Sequence, residues 1–357
     1  MQQLHFSSQE FQVKLATWFQ HNQRQLPWRS TNDPYRIWIS EAMLQQTQVV
    51  KVLEYYQRFI SRFPTISDLA QADLAEVLKM WEGMGYYARA RNLHKAAQAV
   101  ISETNGIIPA DYEAFKKLPG VGDYIAAAVL SIAHNAPFAV MDGNVKRVLA
   151  RLFLIDSPLN ESKAAKVYKS HAEALLDADN AGTHNQAMME LGAIICRPQQ
   201  PLCTDCPVSE FCKAYSSKQQ HFYPVKPASR KTPQHHIAVG IIHRENKFLI
   251  VRRPLNGLLG GLWEFPGGKV DASQNIEDQL ISLIRLKTNL KIEITRMLTQ
   301  IKHAYSHFRI IMDVYHCNFR HGQIELAGHV DYRWITAEEI DEFAFHVANH
   351  KFFHLLK

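Results

Sequence analysis

Four of the five cysteines in this 357-residue chain fall within 17 positions, as Cys196-x6-Cys203-x2-Cys206-x5-Cys212. A loop tight enough to crowd four thiolates together can surround one metal centre, whereas an odd cysteine count with a single cluster fits a disulfide framework poorly. The cluster closes the helical run THNQAMMELGAIIC and continues into a proline-punctuated loop, so it ends a helical region. Zinc and an iron–sulfur cluster both accept four cysteines at such spacings. Cys317, alone in the apolar stretch IIMDVYHCNF, is expected to be a buried strand residue.

The chain is too long for one ordinary core, which predicts two or three domains. As far as the cysteines the pattern is helical. Asp33-Pro34 reads as an N-cap and first-turn proline opening a helix through Trp38, Glu41 and Leu44. A second helix is expected over Thr47–Phe63, its apolar face built from Val49, Val50, Val52, Leu53, Tyr56, Phe59 and Ile60. The stretch 216–234, with Pro224, Pro227 and Pro233, reads as a linker. After it, IAVGIIH and KFLIVRR are β-type runs joined by the turn Arg244-Glu245-Asn246, a hairpin. More β-type runs follow near 292–297, 309–319 and 332–335, with helical segments near 276–287 and 336–344. The expected organisation is a multidomain chain: a helical domain over 1–215, the linker 216–234, and an α+β domain over 235–357.

A formal charge of +6 suits a polyanionic partner without specifying one. No apolar run reaches the roughly 18 residues that span a bilayer, and the start MQQLHFSSQEF lacks a basic n-region and apolar core. The expectation is a cytoplasmic protein with no membrane partner.

Two further features carry chemistry. Leu118-Pro119-Gly120-Val121-Gly122 separates two helical segments, the second containing IAAAVLSIA. Paired glycines let a backbone turn sharply, and amides at a helix N-terminus can hold a phosphate oxygen. An ordinary helix–helix turn would look the same in isolation. The second feature is a pair of acids. A pair with one acid held neutral and one carboxylate held charged can protonate a leaving group and stabilise a developing cation. Glu41, among Trp38, Ile39, Met43 and Leu44, has the apolar setting that raises a pKa. Asp142 precedes the amphipathic run GNVKRVLARLF and fits an N-cap, where the positive helix end is expected to keep it ionised. Taken singly, each also fits a purely structural role, as a solvated helix glutamate and as a simple cap.

The cysteine spacing and the PGVG turn together resemble the [4Fe–4S] loop and helix–hairpin–helix of the endonuclease III superfamily of DNA glycosylases. The resemblance implies an all-α, two-lobed domain with its hairpin at about 112–134 and a [4Fe–4S] cluster of structural role on Cys196, Cys203, Cys206 and Cys212. Arg197 and Lys213 would place DNA-facing charge beside it. Bifunctional members of the superfamily carry a Schiff-base lysine two residues after the second glycine; this chain has Tyr124, which implies a monofunctional enzyme. The segments SEAMLQQTQV, DGNVKRV and NQAMMELGAIIC are similar to the MutY family, adenine DNA glycosylases acting opposite 8-oxoguanine. That resemblance implies that Glu41 protonates adenine and that Asp142 stabilises the oxocarbenium or bonds to it transiently, with Asn144 and Tyr124 supporting the sugar side. It sets Arg24, Leu26, Trp28, Arg29 and Gln186 around the extruded adenine. Gln46 and Tyr86 would fill the gap in the stack, and Thr47, Gly120 and Gly122 would contact the DNA. The implied partner is double-stranded DNA with adenine opposite 8-oxoguanine or guanine, bound by a monomer.

GLWEFPGGKV resembles the entry to a Nudix fold. Counted from Gly268, the first metal-binding glutamate position holds Gln274, and the block expected to read Arg-Glu-x-x-Glu-Glu is Ser282-Leu283-Ile284-Arg285-Leu286-Lys287. With the carboxylates gone, diphosphate hydrolysis is not expected. The family reading is instead recognition of oxidised guanine by the retained cleft, with Tyr305, Ser306 and His307 as its reading loop. Two other classes compete for the whole chain: a lyase acting on oxidised pyrimidines, disfavoured by Tyr124, and a non-catalytic iron–sulfur DNA-binding protein, disfavoured by the Glu41/Asp142 pair.

Overall fold

The computed structural model describes residues 4–158, 161–225 and 232–356; positions 226–231 of the expected linker, Pro227 among them, lie outside the described residues. The chain forms two compact units, Met1–Ala70 with Lys95–Ser229, and Gln71–His94 with Arg230–Lys357.

In the first unit, helices begin where the sequence supplies an acceptor for their free N–H groups. Asp33 accepts from the Tyr35 N–H at 2.9 Å to start Pro34–Leu44, and Asp111 accepts from Ala114 at 2.8 Å to start Tyr112–Lys116. Asp142 accepts from Val145 at 2.7 Å to start Gly143–Phe153. Between Tyr112–Lys116 and Asp123–His134 the chain turns through Gly120 at φ +80°, a left-handed conformation that a side chain would oppose. These elements form a helix–hairpin–helix. Every residue from Ile125 to Ser131 is buried, so the second hairpin helix runs through the interior. A separate core joins Phe11, Leu15 and Phe19 of Ser8–Asn22 to Val148, Leu149 and Leu152, and to Tyr168 of Ser162–Leu175. Each such side chain contributes roughly 1.5–3 kcal/mol on burial.

The second expected helix spans Val49–Arg62 and buries Val52, Tyr56 and Phe59, but Val50 is 81% exposed. Val50 lies two positions before Val52, and at 3.6 residues per turn that is about 200° around the helix, which turns Val50 away from the buried ridge.

The second unit is built on a seven-stranded mixed sheet. Its strands are β1 Gln234–Arg244, β2 Lys247–Arg252, β3 Trp263–Glu264, β4 Gly267–Val270, β5 Lys291–Ala304, β6 Arg309–His321 and β7 Asp331–Ile335. β1 and β2 form the expected hairpin, with Arg244 opposite Lys247. β1 also pairs with β4 in antiparallel and with β6 in parallel fashion. Alternation places Val239, Ile241, Phe248 and Ile250 in one core, and Ala238, Ile242, Leu249 and Val251 in another beneath the helix Ile276–Thr288. Cys317 is fully buried in β6. Residues 71–94 cluster with this unit because their polar groups find partners there. Glu82 accepts from the Phe345 N–H at 2.7 Å, and Arg91 donates to the Gly260 carbonyl at 2.8 Å. Among the described residues, no helix is long and apolar enough to cross a membrane.

Candidate active site

A cavity of about 130 Å³ opens in the first unit, and both acids line it. Glu41, on the inward face of Pro34–Leu44, is 3% exposed. Burial raises its pKa to about 7; the Asp142 charge adds to the rise, while a hydrogen bond from the Tyr124 hydroxyl and the Arg29 cation oppose it. The acid expected from the apolar neighbours of Glu41 is thus available near neutral pH. Tyr124 itself is pushed well above the ordinary phenol value, by burial first and then by the two carboxylates, so it remains a neutral donor.

Asp142 is the N-cap expected of it. Its capping bond to Val145, an Asn144 Nδ2–H donated to Oδ2 at 2.9 Å, and the Arg147 charge all pull its pKa down. Burial outweighs them, and the pKa stands above the usual carboxylate value. Enclosure in the pocket thus removes more hydration than the cap replaces.

Arg24, Leu26, Trp28, Arg29, Asn144, Gln186 and Thr47 line the same cavity. Gln46 is exposed at φ +55° just past the end of Pro34–Leu44, and Gly122 is exposed at the start of Asp123–His134.

Glu190, which sequence reasoning missed, holds the arginine wall. It is 1% exposed and accepts from Arg24 at 2.9 and 2.6 Å and from Arg29 at 3.1 and 2.8 Å. Burial disfavours its charge, but the two guanidiniums win and hold its pKa at about 2. The signal was its position four residues after Gln186, which puts both on one helix face. Arg147, three residues after Asn144, was also missed. It donates to Asn144 Oδ1 at 2.8 Å, to the Gly192 carbonyl at 2.7 Å and to the Cys196 carbonyl at 2.8 Å. Asn144 is thereby held on Asp142.

The backbone allows this only because residue 192 is glycine. The helix Ala181–Glu190 widens into a π-turn at Leu191–Ile195, and a Cβ on Gly192 would lie 2.6 Å from the Asn144 Cβ. Gly192→Ala is expected to destabilise the fold by about 1–3 kcal/mol. It should also lower the turnover of the site by displacing Asn144 from Asp142. A denaturant melt and a single-turnover assay check this, and an unchanged rate would contradict it.

Comparison with known proteins agrees with this geometry. Residues 39–173 match the HhH-GPD superfamily of base excision DNA repair proteins, and residues 237–355 match the NUDIX domain. The chain is 33% identical to the adenine DNA glycosylase of Homo sapiens over 399 residues, covering 96% of this chain and 73% of the relative. It is 36% identical to that of Buchnera aphidicola subsp. Acyrthosiphon pisum, covering 84% and 83%. The chain belongs to the adenine DNA glycosylase family. Among solved structures, a thermostable thymine-DNA glycosylase superposes with a TM-score of 0.54 at 31% identity, over 59% of this chain and 97% of that one. An endonuclease III trapped as a covalent DNA intermediate superposes at 0.51 and 24% identity, over 60% and 99%, which bears on the fold alone.

The four cysteines of this adenine DNA glycosylase family member lie past the π-turn. Among the described residues, no three or more His, Cys, Asp or Glu side chains are arranged to hold a metal ion. The thiols nevertheless sense one another: burial first, and then the Cys196 charge, raise Cys203, with Cys206 pushed to about 12 and Cys212 to about 11. Beside them Arg151, 2% exposed, donates to Cys196 Sγ at 3.2 Å and to the carbonyls of Arg197 and Pro198 at 2.7 and 3.0 Å. Four soft donors next to a buried cation have the chemistry of a thiolate-bound centre, while their arrangement among the described residues is not one that holds a metal ion.

In the second unit the three residues of the expected reading loop separate. Tyr305 turns inward, its hydroxyl 3.2 Å from His346 Nδ1. Ser306 and His307 are exposed, and the Ser306 Oγ accepts from the Tyr86 hydroxyl at 2.5 Å. Tyr86 sits at φ +48°, with the Arg89 guanidinium 5.4 Å from its ring.

Proposed function

We propose that this protein is a monofunctional glycosylase that hydrolyses the N-glycosidic bond of adenine opposite 8-oxoguanine or guanine in double-stranded DNA. The observation that carries the reading is a buried Glu41, its pKa raised to about 7, sharing one cavity with Asp142, the cap of Gly143–Phe153. With adenine extruded between the arginine wall, Leu26, Trp28 and Gln186, the Glu41 carboxylic acid donates its proton to the departing base. As the bond lengthens, positive charge grows on the sugar, and the Asp142 carboxylate offsets it. Asn144 keeps the carboxylate oriented, and Asp142 then stabilises the cation or bonds to it transiently until water adds. Tyr124 holds Glu41 in place and brings no amine to attack the sugar, so the strand is left unbroken.

DNA contact is assigned to the amides at Gly120 and Gly122, to Thr47, and to Gln46 and Tyr86 as residues that fill the vacated stack. Ser306 and His307, with Tyr305 behind them, would meet the oxidised guanine. Cys196, Cys203, Cys206 and Cys212 would hold a [4Fe–4S] cluster, which supplies a cross-link for the loop and no part of the chemistry. A reducing cytoplasm and a monomeric state complete the reading.

The test is a labelled duplex holding adenine opposite 8-oxoguanine, incubated with the protein and then treated or not with hot alkali. Strand breaks are expected only after alkali. Breaks without alkali would make the enzyme a lyase, and none under either condition would remove the catalytic reading.

A further inference from the structure

Residues 135–142 carry the chain to Asp142 at the active-site cavity, yet they belong to no helix or strand. Their backbone groups have no ladder to pair in, so the buried ones need partners from elsewhere. Val140, two residues before Asp142, is buried. Its N–H donates to the side-chain oxygen of Asn185 at 3.1 Å. The Asn185 amide nitrogen donates in turn to the Phe138 carbonyl at 2.8 Å and to Ser131 Oγ at 2.9 Å. Asn185 is 3% exposed, and both of its N–H donors are used. Turned over, the amide would set N–H against N–H and carbonyl against carbonyl, so its partners fix its orientation.

Asn185 stands on Ala181–Glu190 beside Gln186, and Ser131 stands on Asp123–His134 two turns beyond Tyr124. These two helices meet closely, since a Cβ on Gly182 would lie 2.6 Å from the Ser131 carbonyl oxygen. One buried amide therefore joins the three segments that bring Tyr124, Asp142 and Gln186 to the cavity. Val145 and Asn144 hold the Asp142 carboxylate from its own helix, and Asn185 holds the backbone that leads into it. Asn135 ties the same region at the exterior. It accepts from the Gly182 N–H at 3.1 Å and donates to the Asp179 carbonyl at 2.6 Å, and neither bond reaches residues 136–142.

We propose that Asn185 is a positioning residue for base excision, setting Asp142 against Glu41 and the sugar by pinning the chain at Phe138 and Val140. This role rests on the part given to Asp142 under the proposed function.

Single-turnover excision with enzyme in saturating excess tests it, on the duplex holding adenine opposite 8-oxoguanine. In that regime a loss of folded enzyme does not change the rate constant. Asn185→Leu keeps the volume and loses all three bonds. Its rate constant should fall by about tenfold or more, since a misplacement of about 1 Å can cost on the order of 10²-fold. Its Kd for a duplex carrying the uncleavable 2′-fluoro analogue of deoxyadenosine should stay close to that of the parent. The alkaline limb should also move. The Asp142 charge helps to raise the Glu41 pKa, against the Tyr124 hydrogen bond and the Arg29 cation, so an Asp142 set farther off shifts the limb to lower pH.

Asn185→Asp supplies the rescue. Protonated, it accepts from Val140 and donates an O–H to the Phe138 carbonyl; ionised, it has no donor. Its rate relative to the parent should therefore recover as pH falls. Asn135→Gly loses the outer tie but suits the φ of +52° at that position. It should lower the melting temperature and leave the rate constant unchanged. Equal slowing in Asn135→Gly and Asn185→Leu would reduce Asn185 to support of the fold and overturn the proposal. An unchanged rate constant or an unshifted limb in Asn185→Leu, or no recovery in Asn185→Asp, would do the same. Absence of excision by the parent would instead overturn the Asp142 reading, and the role of Asn185 with it.

Discussion

Glu190→Gln is expected to destabilise this protein by about 3–5 kcal/mol, the usual cost of removing one partner from a buried ion pair. Glutamine preserves the shape and one acceptor but leaves Arg24 and Arg29 facing each other across a site that is 1% exposed. The pH dependence follows from the same pairing. The folded-state pKa of Glu190, about 2, lies below its ordinary 4.5, so its contribution is complete above pH 4.5 and is lost as pH falls toward 2. Parent and variant should therefore differ most in urea melts at pH 7 and converge in acid. A second readout separates this from simple damage. Arg29 already pulls the Glu41 pKa down, and without Glu190 to neutralise it that pull strengthens. The alkaline limb of the single-turnover rate should move to lower pH in the variant. An unshifted limb together with unchanged stability would show that Glu190 does not hold the arginine wall.

Glu41→Gln should abolish the proton donor, lowering the excision rate by about 10²–10⁴-fold, yet make the protein more stable at alkaline pH. The folded-state pKa of Glu41, about 7, lies above its ordinary 4.5. A raised carboxylate pKa means that the favourable neutral form is fully populated below pH 4.5 and is lost as pH rises through 7. Above that, burying the ionised acid costs about 3 kcal/mol, from some 1.4 kcal/mol per pKa unit. Glutamine carries no such penalty and can still accept from Tyr124. The variant should match the parent near pH 4 and exceed it by about 3 kcal/mol at pH 8. Equal stabilities at pH 8 would mean that Glu41 is hydrated and ionised, which would remove it as the acid. In the parent, excision should fall as pH rises above about 7, because the proton to be donated is being lost.

Much of the fold was legible because its signals are local. Asp33-Pro34 and Asp142 cap the helices they precede through bonds to residues two or three positions ahead. The Arg244–Asn246 turn joins β1 to β2, and Glu245 takes φ +58° to do so. Val50 was misread because apolar character was counted without its angle around the helix. For Asp142 the cap was legible because it is local, but the enclosure that raises its pKa is made by residues far along the chain.

The sequence by itself determined the residue types for the chemistry, the capped helices, the β-hairpin, the four clustered thiols and the loss of metal-binding carboxylates from the second domain. Each of these is a matter of near neighbours or of composition. Only the tertiary structure decided that Glu190 binds arginines 161 and 166 positions away, that residues 71–94 join the second unit, and that Lys287 faces a cavity. It also decided that burial raises the Glu41 pKa to about 7. These depend on burial and on which distant groups share a dry space, and desolvation is a property of the assembled volume, which no short stretch of sequence encodes.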